Sequence, residues 1–212
     1  MRYAAFLLMV ILASCKRESM EDLGLISQGT TPFEIDQPYY FPVLEVPSDN
    51  PLTEEGIALG RQLYYDPVLS TNGPFEGRSC SSCHDQAISF SVPTLGTSVL
   101  PHVNLAWSHN FLWTGKVSGE LEDVMGFEVN DFFQVDVSEL QAHSEYPNLF
   151  LRAFGDATIT REAVAKALAQ WFRRLVSANS KFDRYLLHTD VLTDQELNGM
   201  SIYLSETGDC FH

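Results

Sequence analysis

Apolar residues recur along this chain at helical intervals. Thr53 suits an N-cap, and Glu54 and Glu55 follow in the first turn, where the helix dipole favours acids. Ile57, Gly60, Leu63 and Tyr64 then share one face, and Asp66-Pro67 ends the run. A second helix is predicted from Pro147 at a first helical position, through Leu149, Phe150 and Phe154, to a stop at Gly155. The clearest helix follows Thr160, with Val164, Leu168, Trp171, Phe172 and Leu175 as its buried stripe. Thr193-Asp194-Gln195-Glu196 has the capping-box pattern, ahead of Leu197, Met200 and Leu204, with Gly208 as the expected end. No segment alternates convincingly as a strand and no repeat recurs at a fixed period. The expected fold class is mainly α.

The stretch from 16 to 50 lacks periodicity and carries Pro32, Pro38, Pro42 and Pro47, the composition of an extended tether. Its aromatic run Tyr39-Tyr40-Phe41 is expected to pack onto the body. Ahead of it, Met1-Arg2 is a minimal basic region, and Tyr3 to Leu12 is an apolar run too short to cross a bilayer. Leu12-Ala13-Ser14-Cys15 resembles the lipobox of bacterial lipoproteins, in which the chain is cut before the Cys and the Cys is acylated. The competing reading is a plain secretory signal with an incidental Cys. The expected division is a signal peptide over 1–14 and a lipid-anchored tether over 15–49, on the periplasmic side of a bacterial membrane.

Charge narrows the choice of partners. The 212 residues include 13 Lys and Arg against 28 Asp and Glu, a formal net charge of −15. Such a surface repels phosphate backbones, which argues against nucleic acid; solubility alone accounts for it, and the sharper reading is attraction to a small basic protein. The 14 Phe, 8 Tyr and 3 Trp furnish either an ordinary core or one wrapped round a flat apolar cofactor.

Cys80-Ser81-Ser82-Cys83-His84 decides between those cores. It is a C-x-x-C-H motif, in which two thiols add across the vinyl groups of a haem and the adjacent His lies beneath the iron as an axial ligand. A thioredoxin-like pair would need a βαβ pattern that is not visible, a zinc site would need two further ligands, and a Cys80–Cys83 disulfide would not call for His84. The last residues, Gly208-Asp209-Cys210-Phe211-His212, look like the approach to another such motif. Cys210 is therefore expected to begin a second haem site, the alternative being an unpaired thiol.

Further segments stand in a telling order: Asn50-Pro51-Leu52-Thr53, Leu63-Tyr64-Tyr65-Asp66-Pro67, the haem motif, Asn104-Leu105-Ala106-Trp107 with Phe111-Leu112-Trp113, Ala153-Phe154-Gly155-Asp156, Leu175-Val176-Ser177, Phe182-Asp183-Arg184-Tyr185, and Leu192-Thr193 onward. From about residue 50 to 212 the chain resembles the bacterial di-haem cytochrome c peroxidase family, which includes the MauG-like enzymes. The resemblance implies a first c-type haem domain over 50–185 and, over 186–212, the start of a second that is cut at its haem motif.

It also implies chemistry. The first haem, with His84 as proximal ligand, would meet hydrogen peroxide, and the second, beginning at Cys210, would take electrons from a small cytochrome or copper protein. Trp113 matches the Trp between the two haems, a role compatible with core packing. Four departures stand out. Thr114 replaces an acidic residue of the family's Phe-Trp-Asp-Gly. Gln134 falls where a Glu helps break the peroxide bond, and an amide cannot carry a proton as a carboxylate does. His102 and His109 are the only His residues near the place of a distal cap; His102 is the candidate metal ligand, against a polar surface role. Ser98 stands where an Asn helps hold calcium, which puts calcium in doubt. Family peroxidases are commonly homodimers. Beside peroxide reduction stand MauG-like oxidation of a protein or organic substrate, a non-enzymatic haem electron carrier, and a lipoprotein without haem.

Overall fold

The structure, a computed structural model, describes residues 29–92 and 99–210. The expected signal segment, Cys15 and Ser98 lie outside the described residues. Among the described residues seven α-helices follow in order: α1 (Glu54–Tyr65), α2 (Leu121–Phe127), α3 (Val137–Ala142), α4 (Tyr146–Phe154), α5 (Arg161–Arg174), α6 (Lys181–Leu186) and α7 (Asp194–Tyr203). The only sheet among the described residues is a hairpin of β1 (Asn110–Phe111) and β2 (Val117–Ser118), antiparallel, with Asn110 opposite Ser118.

Helices α1 and α5 form the centre, with α4 against α1 and α2 against α5. Thr53 caps α1, its hydroxyl accepting from the Gly56 amide at 3.0 Å, and Thr160 caps α5 by accepting from Ala163 at 3.1 Å. The two helices touch because α1 presents Gly56 and Gly60 one turn apart. A Cβ at Gly60 would overlap the Ala167 carbonyl oxygen of α5, and one at Gly56 would overlap the Gln170 amide. Leu59, Leu63, Tyr64, Val164, Leu168 and Phe172 fill the seam and are essentially inaccessible.

A buried polar network locks these helices in register. Arg173, 1% exposed, donates to both carboxylate oxygens of Glu122 at 2.5 and 2.6 Å. Asn50 donates to Glu122 at 2.6 Å and accepts from Gln170 at 2.8 Å, and Gln170 accepts from the Thr53 amide at 3.0 Å. Burial alone would push the Glu122 carboxyl up. The Arg173 guanidinium and the Asn50 amide outweigh it and hold the group below its ordinary range.

Residues 29–49 follow the body as an extended strap. The Phe33 amide donates to the Leu52 carbonyl at 3.0 Å, the Tyr40 hydroxyl to Asp183 at 2.9 Å, and the Trp107 indole to the Pro42 carbonyl at 2.8 Å. Tyr40 and Phe41 of the aromatic run thus pack onto the body, Phe41 edge-on to Trp107 at 4.9 Å, while Tyr39 is 77% exposed. At the other end, α7 carries the capping box on Thr193 and Glu196 but ends at Tyr203, before Gly208. None of its residues is buried; Leu197, Ile202, Tyr203 and Leu204 are 36–59% exposed.

Candidate functional site

The Cys80–His84 segment begins with a 3₁₀ turn, Cys80–Ser82. The Ser79 amide donates to the Ser82 hydroxyl at 3.0 Å, and the Cys80 carbonyl accepts from the amides of Cys83 at 3.2 Å and His84 at 3.0 Å. This winding sets Cys80, Cys83 and His84 on one tight turn. Cys80 is buried against the core, Cys83 is half-buried, and both thiols are free. Burial drives the Cys80 thiol well above its usual range, so it is held neutral.

The loop after the motif aims His84. The Asp85 amide donates to the Ser91 carbonyl and the Phe90 amide to the Asp85 carbonyl, both at 2.8 Å, which closes a tight reversal. Ser89 and Phe90 take φ of 61° and 58°, the left-handed region that costs a non-glycine residue about 1–2 kcal/mol. The reversal persists because those hydrogen bonds and the buried Phe90 ring over-determine it. It brings the Phe90 carbonyl oxygen to 2.9 Å from His84 Nδ1. An imidazole that donates from Nδ1 to a carbonyl keeps its lone pair on Nε2, the tautomer a metal ligand needs. Burial lowers the His84 pKa, opposed by the carbonyls of Phe90 and Leu100.

His102 stands directly beside His84. The rings are 3.4 Å apart and 18° from parallel. Two imidazoles that bind one iron from opposite sides have the porphyrin between them, whereas here they are in contact. To reach the iron opposite His84, His102 would have to leave this stack. Burial, and then the neighbouring His84, hold His102 well below the ordinary pKa, so it is neutral. Tyr64 completes the cluster: its hydroxyl lies 3.2 Å from His102 Nδ1 and 3.4 Å from the His84 carbonyl oxygen.

The other expected site residues lie on exposed parts of the chain. Trp113 is 66% exposed in the β1–β2 turn. Gln134 is exposed, with φ 52°, just after a π-helical turn over Glu128–Phe132. Cys210 is exposed, its Sγ 2.9 Å from the Gly208 carbonyl oxygen. Two contributors were hidden from sequence reasoning. Tyr64 falls on the apolar stripe of α1 and reads as core. Glu128 begins the π-helical turn, where burial pushes its carboxyl up to about 7 and its charge bears on Cys80; a Glu after Gly126-Phe127 carries no signal of burial.

Residues 54–191 match the family model described as di-haem cytochrome c peroxidase. The chain belongs to the di-haem cytochrome c peroxidase family. It is 36% identical over 157 residues to methylamine utilization protein MauG of Methylorubrum extorquens, covering 66% of this chain and 44% of that protein. Against the cytochrome c551 peroxidase of Nitrosomonas europaea it is 25% identical over 179 residues, 76% of this chain and 52% of that one. Among solved structures, a MauG-like protein associated with microbial copper homeostasis superposes with a TM-score of 0.74 at 27% identity, over 85% of this chain and 57% of that one. The chain spans about half the length of the curated relatives it matches. Members of the di-haem cytochrome c peroxidase family use haem c, and the described residues fit that group: two free thiols on one turn, a tautomer-fixed imidazole and a wall of Tyr64, Phe90 and Phe172.

Proposed function

We propose that Cys80 and Cys83 attach a c-type haem with His84 as its proximal ligand, and that the protein reduces hydrogen peroxide with electrons from a small redox protein. The observation that carries this reading is the 2.9 Å contact between His84 Nδ1 and the Phe90 carbonyl oxygen, made beside two free thiols. When bound, the haem supplies an iron that reacts with peroxide. The chain contributes the rest. Cys80 and Cys83 hold the group, the 85–91 reversal orients His84, and the buried aromatic wall excludes water. Trp113 is the candidate route towards a second haem that begins at Cys210, and the acidic surface suits a basic cytochrome or copper protein as donor. Cys15 would anchor the protein by lipid on the periplasmic side of the membrane. Homodimers remain an expectation from the family, while Ser98 weakens the case for calcium.

A second reading, MauG-like oxidation of a protein or organic substrate, draws on Gln134 and Thr114 standing where the family has acids, and on the likeness to MauG proteins. One experiment separates the readings. The protein is matured with haem-attachment machinery, alongside Cys80→Ser/Cys83→Ser, and given peroxide with a reduced small cytochrome. Covalent haem that is lost in the double variant, with rapid donor oxidation, supports the peroxidase. Covalent haem that peroxide oxidises and the donor scarcely reduces favours the second reading. A colourless wild-type protein would sink both.

A further inference from the structure

Tyr64 is a buried phenol with an unusual neighbour. Its ring is fully inaccessible, enclosed by Tyr65 at 5.1 Å, Phe172 at 5.7 Å, Phe90 at 5.8 Å and Trp171 at 6.2 Å. A core of this kind is served as well by Phe, which has no hydroxyl to satisfy. Here the hydroxyl is placed within 3.2 Å of His102 Nδ1, and His102 in turn stacks on His84. With His102 as the Nε2–H tautomer, Nδ1 offers its lone pair to the phenol.

That arrangement is what one-electron oxidation of a phenol requires. A phenol that loses an electron becomes strongly acidic and must shed its proton at once. Water cannot take it inside this core. His102 Nδ1, 3.2 Å from the phenol oxygen, stands where that proton can go. The second nearby aromatic lacks such a partner: the Trp171 indole nitrogen is buried without a hydrogen-bond acceptor.

We propose that Tyr64 is a redox-active tyrosine that gives one electron to the first haem after peroxide has oxidised it, with His102 Nδ1 receiving the phenolic proton. The inference rests on the haem and peroxide chemistry proposed above. Peroxide takes up two electrons and two protons to become two waters, and Tyr64 supplies one of those electrons by way of the haem. The phenolic O–H bond breaks, a new N–H bond forms on His102, and the products are a neutral tyrosyl radical and an imidazolium. Re-reduction by the external donor returns the electron, and the proton moves back from His102. The pair thereby stores an oxidising equivalent on a phenol that is itself closed off from solvent.

The test uses the full-length, haem-loaded protein, frozen after addition of one equivalent of peroxide, with the haem followed by its Soret band and radicals by electron paramagnetic resonance. The expected result is a radical whose hyperfine structure collapses when the protein is grown on ring-deuterated tyrosine. It should be absent from Tyr64→Phe that has taken up haem. In His102→Leu the radical yield should fall at least tenfold. Should Tyr64→Phe fail to retain haem, His102→Leu with the deuterated label decides alone. A Soret change with no tyrosyl radical, or with one that persists in both variants, overturns the assignment and leaves the peroxidase reading intact. No Soret change at all defeats that reading and this one with it.

Discussion

The Phe90 carbonyl oxygen faces His84 Nδ1 at 2.9 Å from a loop in which Ser89 and Phe90 are both left-handed. The orientation of the imidazole is therefore maintained against local backbone strain. Ser89→Gly removes the Cβ that the left-handed region disfavours, and Ser89→Val adds a branched one. The valine variant should be less stable than the glycine variant by at least about 1 kcal/mol. Urea midpoints of the two variants, compared at equal slope, check this.

Arg173 and Glu122 form the most deeply buried ion pair among the described residues. Arg173→Met leaves the Glu122 carboxylate without its partner, and should cost about 3–5 kcal/mol. The pair also gives stability a pH dependence. Because the folded carboxyl is held below its unfolded value of about 4.3, its contribution is fully present above that value and is lost as pH falls through the lower folded one. Denaturant titrations between pH 6 and pH 3 should show the wild type losing this contribution, and Glu122→Gln losing less.

Gly60 and Gly199 both lie inside helices, yet substitution should act on them in opposite directions. A Cβ at Gly60 meets the α5 backbone, while Gly199 on α7 has nothing within 4 Å. Gly60→Ala must push α1 away from α5, at a cost of about 1–3 kcal/mol. Gly199→Ala should stabilise by about 0.5–1 kcal/mol, because it restricts the unfolded chain and improves helix propensity. Thermal unfolding of the two variants reads the opposite signs directly.

Glu128 behaves oppositely to Glu122. Burial lifts its carboxyl to about 7, so the folded state binds a proton that the unfolded chain, with a value of about 4.3, has already released. The neutral carboxyl is no handicap below pH 4. Stability then falls as pH rises from about 4 to 7 and levels off beyond. Glu128→Gln should match the wild type at pH 4 and exceed it at pH 8. Equal stability difference at the two pH values would remove burial as the cause.

Local chemistry made much of this legible in advance. The caps at Thr53, Thr160 and Thr193, the stop at Gly155 and the stripe from Val164 to Leu175 involve residues within a turn or two of one another, and all form as the pattern predicts. Helices α2, α3 and α6, of 7, 6 and 6 residues, are too short to show a period, and they exist because tertiary packing and caps hold them. Leu197, Met200 and Leu204 follow the Thr193 capping box, but a capping pattern cannot say what covers them, and among the described residues Leu197 and Leu204 are exposed.

By itself the sequence determined the helices and the C-x-x-C-H turn, because capping, periodicity and the spacing of two thiols and an imidazole act over a few residues. Only the tertiary structure decided the company those residues keep. Tyr64 meets His102 across 38 positions, and Arg173 meets Glu122 across 51. Such pairings depend on how closely α1, α2 and α5 approach, which is set by the absent side chains of Gly56 and Gly60 and by the burial of the whole seam, quantities that no local pattern encodes.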